Sequence, residues 1–281
     1  MSRASRSRVT AALRFAALAA LVPVVVCRGG DRSTDAFTIT ARFPHDPNAY
    51  TQGLLWANGV LFESTGRYGH SEIRRVDLRT GRVLASRKLA DDRFGEGLAL
   101  LDGRLYQLTW QSGVAYTYDA ATLAPRDSFR YPGEGWGLAT DGRSLIMSDG
   151  SDSLRVLSPS TFRVERVVHV RYNGSPLYQL NELEYVRGDL LANVYQSNWV
   201  LRIDPTTGVV RQLIDFADLY PDRSATAEVM RYTPMTAAVA KPRRRANAAI
   251  TTPSAPSRIA WNPAFARPTA NCAVWCRASA G

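Results

Sequence analysis

The sequence predicts an all-β fold of the β-propeller type, because one pattern recurs at intervals of about 40 residues and turn residues separate short alternating strands. Each copy of the pattern contains a Gly-Leu or similar pair, then a short turn and an apolar strand. The pairs begin at residues 53, 97, 137 and 182, so successive copies are 44, 40 and 45 residues apart. This regularity predicts one structural unit for each copy.

A second landmark follows in each copy, a turn of the type Asp-x-x-Thr-Gly. These turns occupy residues 77–81, 119–122, 158–161 and 204–208. Strands with period-2 alternation are predicted around them, as in Val60 to Glu63, Ile73 to Leu78 and Arg82 to Leu84. No segment predicts an amphipathic helix. The pattern therefore favours a four-stranded blade for each repeat, with a β-sandwich as the alternative fold.

The repeat accounts for four blades, and the rest of the chain does not continue it. Four units are visible between residues 50 and 216, and the segment from Phe37 to Phe43 is a candidate strand for closing the ring. Residues 37–229 thus form the predicted propeller domain. From residue 230 to residue 281 the chain has no Asp or Glu and no alternating pattern. We expect this part to be a disordered basic tail or the product of a reading-frame change near Val229, the latter being favoured.

The net charge of +10 comes from the two ends of the chain. Residues 1–30 carry five Arg and residues 230–281 carry eight Lys or Arg, without any acidic residue, so that residues 31–229 have a net charge of −3. The predicted folded domain is therefore not basic. This distribution argues against a nucleic acid as the partner.

Residues 1–30 have the pattern of a secretory signal peptide, with an Arg-rich start and an apolar run from Phe15 to Val26. We therefore expect an exported protein, periplasmic or extracellular. Cys27 follows the apolar run and is a candidate for lipidation, which would attach the protein to a membrane. Cleavage further along, without lipidation, is the alternative, since Val26 is larger than the residue that usually precedes such a cysteine.

The sequence lacks the residues that several classes of chemistry require. The cysteines are Cys27, Cys272 and Cys276, so the predicted domain contains neither a disulfide framework nor a cysteine nucleophile. The three histidines are scattered and do not have the spacing of a zinc site. The chain has no Gly-x-Ser-x-Gly motif and no phosphate-binding loop. We therefore expect no metal and no cofactor.

The candidate catalytic residue is Glu96, which two glycines flank in the segment from Phe94 to Leu98. The glycines let the backbone approach a ligand and leave the carboxylate unobstructed. Burial beside Phe94 would raise the pKa of Glu96 into a range useful for proton transfer. A solvated glutamate in a turn is the alternative interpretation.

Other candidates occupy comparable places in the remaining repeats. Trp110 and Trp136 would form walls of an apolar pocket, although each is also a suitable core residue. The amide of Asn181 would bind a substrate amide or stabilise a turn. Gln52, in Thr-Gln-Gly, would face the same region.

Five segments, in order, resemble those of the plant and bacterial glutaminyl-peptide cyclotransferases. They are Phe43 to Leu54, Glu63 to Gly69, Phe94 to Leu98, Gly135 to Gly142, and Leu180 to Tyr185. The resemblance implies a five-bladed propeller with a central site that needs no metal. It also implies conversion of the N-terminal glutamine of peptides or proteins into pyroglutamate, with release of ammonia.

The resemblance assigns roles to particular residues. It implies that Glu96 transfers protons and that a substrate pocket is lined by Gln52, Phe94, Trp110, Trp136, Asn181 and Tyr195. At Tyr195 the family has a tryptophan. The family's fifth blade has an Asn-Gly-Ile-Ala strand and a Thr-Gly-Lys motif, which this chain lacks, since Lys241 stands in a different context. We therefore expect the fifth blade to be missing or scrambled. We also expect the protein to be a monomer. A catalytically silent propeller that binds a peptide or a small molecule is the alternative.

Overall fold

The computed structural model describes residues 37–217, 236–240, 258–262 and 272–278. The predicted signal peptide and Cys27 lie outside these residues. No helix in the described ranges is long and apolar enough to cross a membrane. The described regular structure consists of strands, and the predicted all-β class is confirmed.

Sixteen strands form four antiparallel sheets, each with its strands in sequence order. The first blade contains β2 (Thr51–Ala57), β3 (Val60–Thr65), β4 (Glu72–Val76) and β5 (Val83–Lys88). The second contains β6 (Gly95–Leu101), β7 (Arg104–Thr109), β8 (Val114–Asp119) and β9 (Pro125–Arg130). The third contains β10 (Leu138–Thr140), β11 (Leu145–Met147), β12 (Ser153–Leu157) and β13 (Val164–His169). The fourth contains β16 (Leu180–Val186), β17 (Asp189–Val194), β18 (Trp199–Ile203) and β19 (Val210–Asp215). The result is a propeller-like arrangement of four blades.

The remaining strands form two smaller assemblies. A short hairpin of β14 (Arg171–Tyr172) and β15 (Ser175–Pro176) joins the third blade to the fourth. Another four-stranded sheet combines β1 (Phe37–Pro44) with β20 (Thr236–Ala240), β21 (Arg258–Asn262) and β22 (Cys272–Ala278). In this sheet β1 pairs antiparallel with β22, so the two ends of the described chain share a sheet.

The sequence landmarks lie at equivalent places in the four blades. Each Gly-Leu pair, or its equivalent, begins or enters the innermost strand, and each Asp-x-x-Thr-Gly turn joins the third strand to the fourth. In three of the four turns an Asp oxygen accepts hydrogen bonds from the backbone two or three residues later, as from Thr80 to Asp77 at 2.8 Å and from Thr122 to Asp119 at 3.0 Å. The third turn has Ser158 in place of this Asp. Each repeat in the sequence therefore corresponds to one blade, whose outer turn is stabilised by hydrogen bonds of a side chain.

The core consists of apolar layers between neighbouring blades. Leu98 and Leu105 of the second blade, for example, belong to one cluster with Leu55 and Phe62 of the first. Similar clusters join the second blade to the third and the third to the fourth. Partly buried side chains of β1 also pack against the first blade. The first three blades are thus stabilised by burying apolar side chains on both of their faces.

At three glycines the innermost strands approach one another so closely that a side chain would not fit. A Cβ atom on Gly53 would lie 2.7 Å from the Leu98 nitrogen, and one on Gly97 would lie 2.5 Å from the Leu138 nitrogen. A Cβ atom on Gly137 would overlap the carbonyl oxygen of Asn181. These contacts join the first blade to the second, the second to the third, and the third to the fourth.

After residue 230, where the sequence shows no alternating pattern, three of the described strands are found. The innermost, β20, contacts both β16 and β2. The segments Arg258–Asn262 and Cys272–Ala278 are short and contain β-branched or aromatic residues. The first pairs with β20 and β22, whereas the second also pairs with β1, more than 200 residues away. A local pattern does not reveal a partner at that distance. Whether the reading frame changes near Val229 stays a prediction.

Replacing Gly137 with Ala should test the close approach of the third and fourth blades. We expect Gly137→Ala to lower the free energy of unfolding by about 3 kcal/mol, since the overlap is with backbone, which cannot rotate away as a side chain can. Gly59→Ala is the control, because nothing lies within 4 Å of its Cβ and its φ is +83°. In Gly59→Ala the strain of the left-handed backbone conformation alone should lower the free energy of unfolding by about 1 kcal/mol. Equal losses in denaturant-induced unfolding would contradict the assigned contact.

Candidate active site

Four polar or aromatic residues occupy equivalent positions at the innermost strands. Gln52, Glu96 and Trp136 each stand directly before one of the three tightly packed glycines, and Asn181 stands before Glu182. The strand pairing is irregular at Gln52, at Glu96 and at Asn181, where β-bulges occur. Bulges redirect side chains and often occur beside active sites. The sequence therefore brings these four residues to the same end of neighbouring inner strands.

Glu96 is buried, with 5% of its surface exposed. Burial is the main cause that raises the pKa of this carboxyl well above its ordinary value. The negative charge of Glu134 raises the pKa further, whereas a hydrogen bond with the Gln52 side chain lowers it. The environment therefore favours the protonated form of Glu96.

Aromatic rings form a wall around the neighbouring Phe94. The Phe94 ring lies edge to face with Trp110, at a centroid distance of 5.7 Å. Tyr50 and Tyr68 meet the same ring at 5.9 and 5.5 Å. Gly66 completes the contact, because a Cβ there would overlap Phe94 and lie 3.1 Å from the Cγ of Gln52. The wall therefore joins residues of the first blade to Phe94 and Trp110 of the second.

A second aromatic pair contains the other two predicted rings. Trp136 and Tyr195 are edge to face, at a centroid distance of 5.6 Å. Tyr195 is also close enough to Tyr50 to contribute to the raised pKa of about 12 at that phenol, although burial is the larger cause. The predicted pocket residues are thus in the same region of the molecule.

The indoles of Trp110 and Trp136 share one carboxylate, that of Glu134. The Nε1 of Trp110 donates to Oε2 of Glu134 at 2.7 Å, and the Nε1 of Trp136 donates to the same oxygen at 2.9 Å. Sequence reasoning missed this residue. The available signal was the segment Gly133-Glu134-Gly135, in which two glycines flank a glutamate as they do at Glu96.

A further buried carboxyl lies on the fourth blade. Glu182 stands where the other inner strands have glycine, and 1% of its surface is exposed. Its pKa is raised well above the ordinary value, mainly by burial and then by the charges of Glu184 and Glu96. The side-chain amide of the neighbouring Asn193 makes no hydrogen bond to the residues that the structure describes. Sequence reasoning did not assign a role to Glu182, Asn193, Tyr50 or Tyr68.

A cavity of about 490 Å³ lies over the first blade. Tyr50 and Gly66 belong to its lining and also contact Phe94, so the cavity adjoins the aromatic wall. Charged side chains of β4 and β5, including Arg74 and Lys88, line the outer part. Arg74 is held by Asp46 at 3.0 Å and by Glu72 at 2.9 Å. In the described ranges, His, Cys, Asp and Glu side chains form no cluster of three or more that could hold a metal ion.

Two known proteins similar to this chain are named as glutaminyl cyclases or cyclotransferases. A curated glutaminyl-peptide cyclotransferase of Arabidopsis thaliana is 49% identical over 172 residues, which are 60% of this chain and 54% of that protein. The chain thus spans about half the length of this curated relative. The crystal structure of Myxococcus xanthus glutaminyl cyclase matches with a TM-score of 0.70 and 32% identity, over 86% of this chain and 95% of that one.

The family model described as glutamine cyclotransferase matches residues 13–235. That range includes all four described blades and the residues of the candidate site. The resemblance noted in the sequence is therefore confirmed, and the chain belongs to the glutamine cyclotransferase family.

Proposed function

We propose that this protein is a glutaminyl-peptide cyclotransferase, which converts the N-terminal glutamine of peptides or proteins into pyroglutamate and releases ammonia. The observation that carries the proposal is Glu96, a buried carboxyl with a raised pKa beside aromatic rings and the amide of Gln52. Membership of the family supports the same conclusion.

In the proposed reaction, the α-amino nitrogen of the substrate attacks the carbon of its own γ-carboxamide. Glu96 in its ionised form accepts a proton from that nitrogen and then donates it to the departing amide nitrogen. The bond between the γ-carbon and this nitrogen breaks, and ammonia leaves. A single carboxyl performs both transfers and returns to its initial state, and a raised pKa suits both steps near neutral pH.

The other residues would bind and orient the glutamine. Because the nucleophile belongs to the same molecule as the amide it attacks, holding a reactive conformer supplies much of the catalysis. The side chains of Gln52 and Asn181 would hydrogen-bond to the substrate's amide groups and to the developing oxyanion. Phe94, Trp110, Trp136 and Tyr195 would enclose its aliphatic part. The cavity over the first blade would receive the residues that follow the glutamine.

The alternative function is a silent propeller that binds a peptide or a small molecule. The missing Thr-Gly-Lys motif favours it, because a lysine near the oxyanion would add charge stabilisation. Release of ammonia from a peptide that begins with glutamine distinguishes the two.

We also propose that the protein is exported, with or without a lipid on Cys27, so that it acts on exported peptides. The mass of the mature N-terminus tests this.

Glu96→Gln should lower kcat by about 100-fold or more, since the amide keeps the size of the side chain but does not transfer protons. Ammonia release from a Gln-initiated peptide measures the effect, and a thermal melt checks that the fold is intact. Glu165→Gln is the control, because it makes the same change at an exposed residue of the outer strand β13. A Glu96→Gln variant that keeps more than about a tenth of the parent rate would exclude Glu96 from proton transfer.

We further propose that β1 and β20 to β22 form a fifth blade, which closes the ring between β16 and β2. The contacts of β20 with both of these strands and the pairing of β1 with β22 support this proposal. A ring closed by strands from both ends of the chain leaves no blade with an uncovered face.

The fifth sheet predicts energetic coupling between the two ends of the chain. Arg42 of β1 pairs with Val274 of β22. Arg42→Pro and Val274→Pro should each lower the free energy of unfolding, because proline removes a ladder donor. The double variant should lose less than the sum of the two by about 1 kcal/mol or more, since the first change already breaks the pairing. Losses that add to within about 0.5 kcal/mol would contradict the pairing.

A further inference from the structure

Glu134 is the point at which the second and third blades meet beside the pocket. It lies in the connection between β9 and β10, between Trp110 at the end of β7 and Trp136 at the start of the third blade. Its Oε2 accepts hydrogen bonds from both indoles, at 2.7 and 2.9 Å. Its other oxygen, Oε1, accepts from the Nε2 of Gln111 at 3.1 Å. Both oxygens of the carboxylate are therefore engaged.

The backbone around Glu134 is fixed as well. The N–H of Gly135 donates to the Trp110 carbonyl at 3.0 Å, and the N–H of Trp136 donates to the Ser148 carbonyl at 3.0 Å. A Cβ on Gly135 would overlap the ring of Tyr131, so the segment is tightly packed. The carboxylate is thus held at a defined place relative to both rings.

An indole N–H is a donor only, and a part-buried indole needs an acceptor. Because one oxygen serves both indoles, a displacement of Glu134 would move or release both rings together. The two rings would enclose the substrate's glutamine in the proposed reaction. Their relative orientation consequently depends on a residue that itself need not touch the substrate.

Glu134 also acts on Glu96 through its charge. A carboxylate nearby disfavours ionisation of a second one, and the charge of Glu134 is among the causes that raise the pKa of Glu96. Glu134 is only half-buried, so water screens part of this interaction.

We propose that Glu134 is a positioning residue of the active site, which sets the orientation of Trp110 and Trp136 and places a negative charge beside Glu96. The proposal rests on the cyclotransferase function proposed above. It has two separable parts, the hydrogen bonds and the charge.

Two substitutions separate these parts. In Glu134→Gln the carbonyl oxygen still accepts from both indoles, while the exposed Gln111 side chain can turn its amide to suit the new group, so that the charge alone is lost. In Glu134→Ala the charge and both acceptors are lost. Glu165→Gln again serves as the matched control on an outer strand.

For Glu134→Gln we expect a pH profile of kcat whose acid limb moves to lower pH by about half a unit, because loss of a like charge lowers the pKa of Glu96. The substrate is the same in every measurement, and Glu165→Gln should leave the limb in place. The near-ultraviolet circular dichroism of the tryptophans should stay that of the parent. An unmoved acid limb would overturn the charge part of the proposal.

For Glu134→Ala we expect kcat/KM to fall by about 100-fold, the effect of a misplaced substrate. The near-ultraviolet signal of the tryptophans should change while the far-ultraviolet signal does not. Parent values of kcat/KM and of the tryptophan signal would overturn the positioning role. If the parent protein releases no ammonia, the proposed function fails, but the tryptophan signals of the two variants still decide whether Glu134 orients the indoles.

Discussion

The close approach of the inner strands at Gly53, Gly97 and Gly137 is the constraint on which the site depends. At each of these positions a side chain would collide with the backbone of the next blade. The residue just before each glycine is therefore carried to the place where blades converge. Because the three contacts follow one another around the propeller, Gln52, Glu96 and Trp136 meet there although about 40 residues separate them along the chain.

The fourth blade departs from this rule, and its electrostatics differ as a result. Glu182 replaces the glycine and buries a carboxyl near Glu96, on the strand that β20 contacts. Burial is the largest cause that raises the pKa of Glu182, and the charges of Glu184 and Glu96 raise it further. The proton affinity of Glu96 itself is set mainly by its burial, together with the hydrogen bond from Gln52 and the charge of Glu134.

The blades and much of the candidate site were predictable from the sequence, because the repeat displays both directly. The Gly-Leu pairs mark inner strands, and a carboxylate between two glycines marks Glu96. Glu134 has the same local signal, but its contacts with two indoles depend on how the second and third blades pack. The interactions of Tyr50 and Tyr68 with Phe94 likewise form across blades. The strands of the tail were missed for a related reason, since β22 pairs not only with β21 but also with β1, which lies more than 200 residues away. Local pattern predicts the elements well, whereas contacts between blades need the folded chain.

The fold holds Glu96 in an environment that favours its protonated form. An infrared titration of the carboxyl band, assigned as the band that Glu96→Gln removes, measures this in the protein without substrate. We expect the assigned band to titrate clearly above the ordinary glutamate pKa of about 4.3. Titration of that band at the ordinary value would contradict the burial of Glu96 and the proton transfer that we derive from it.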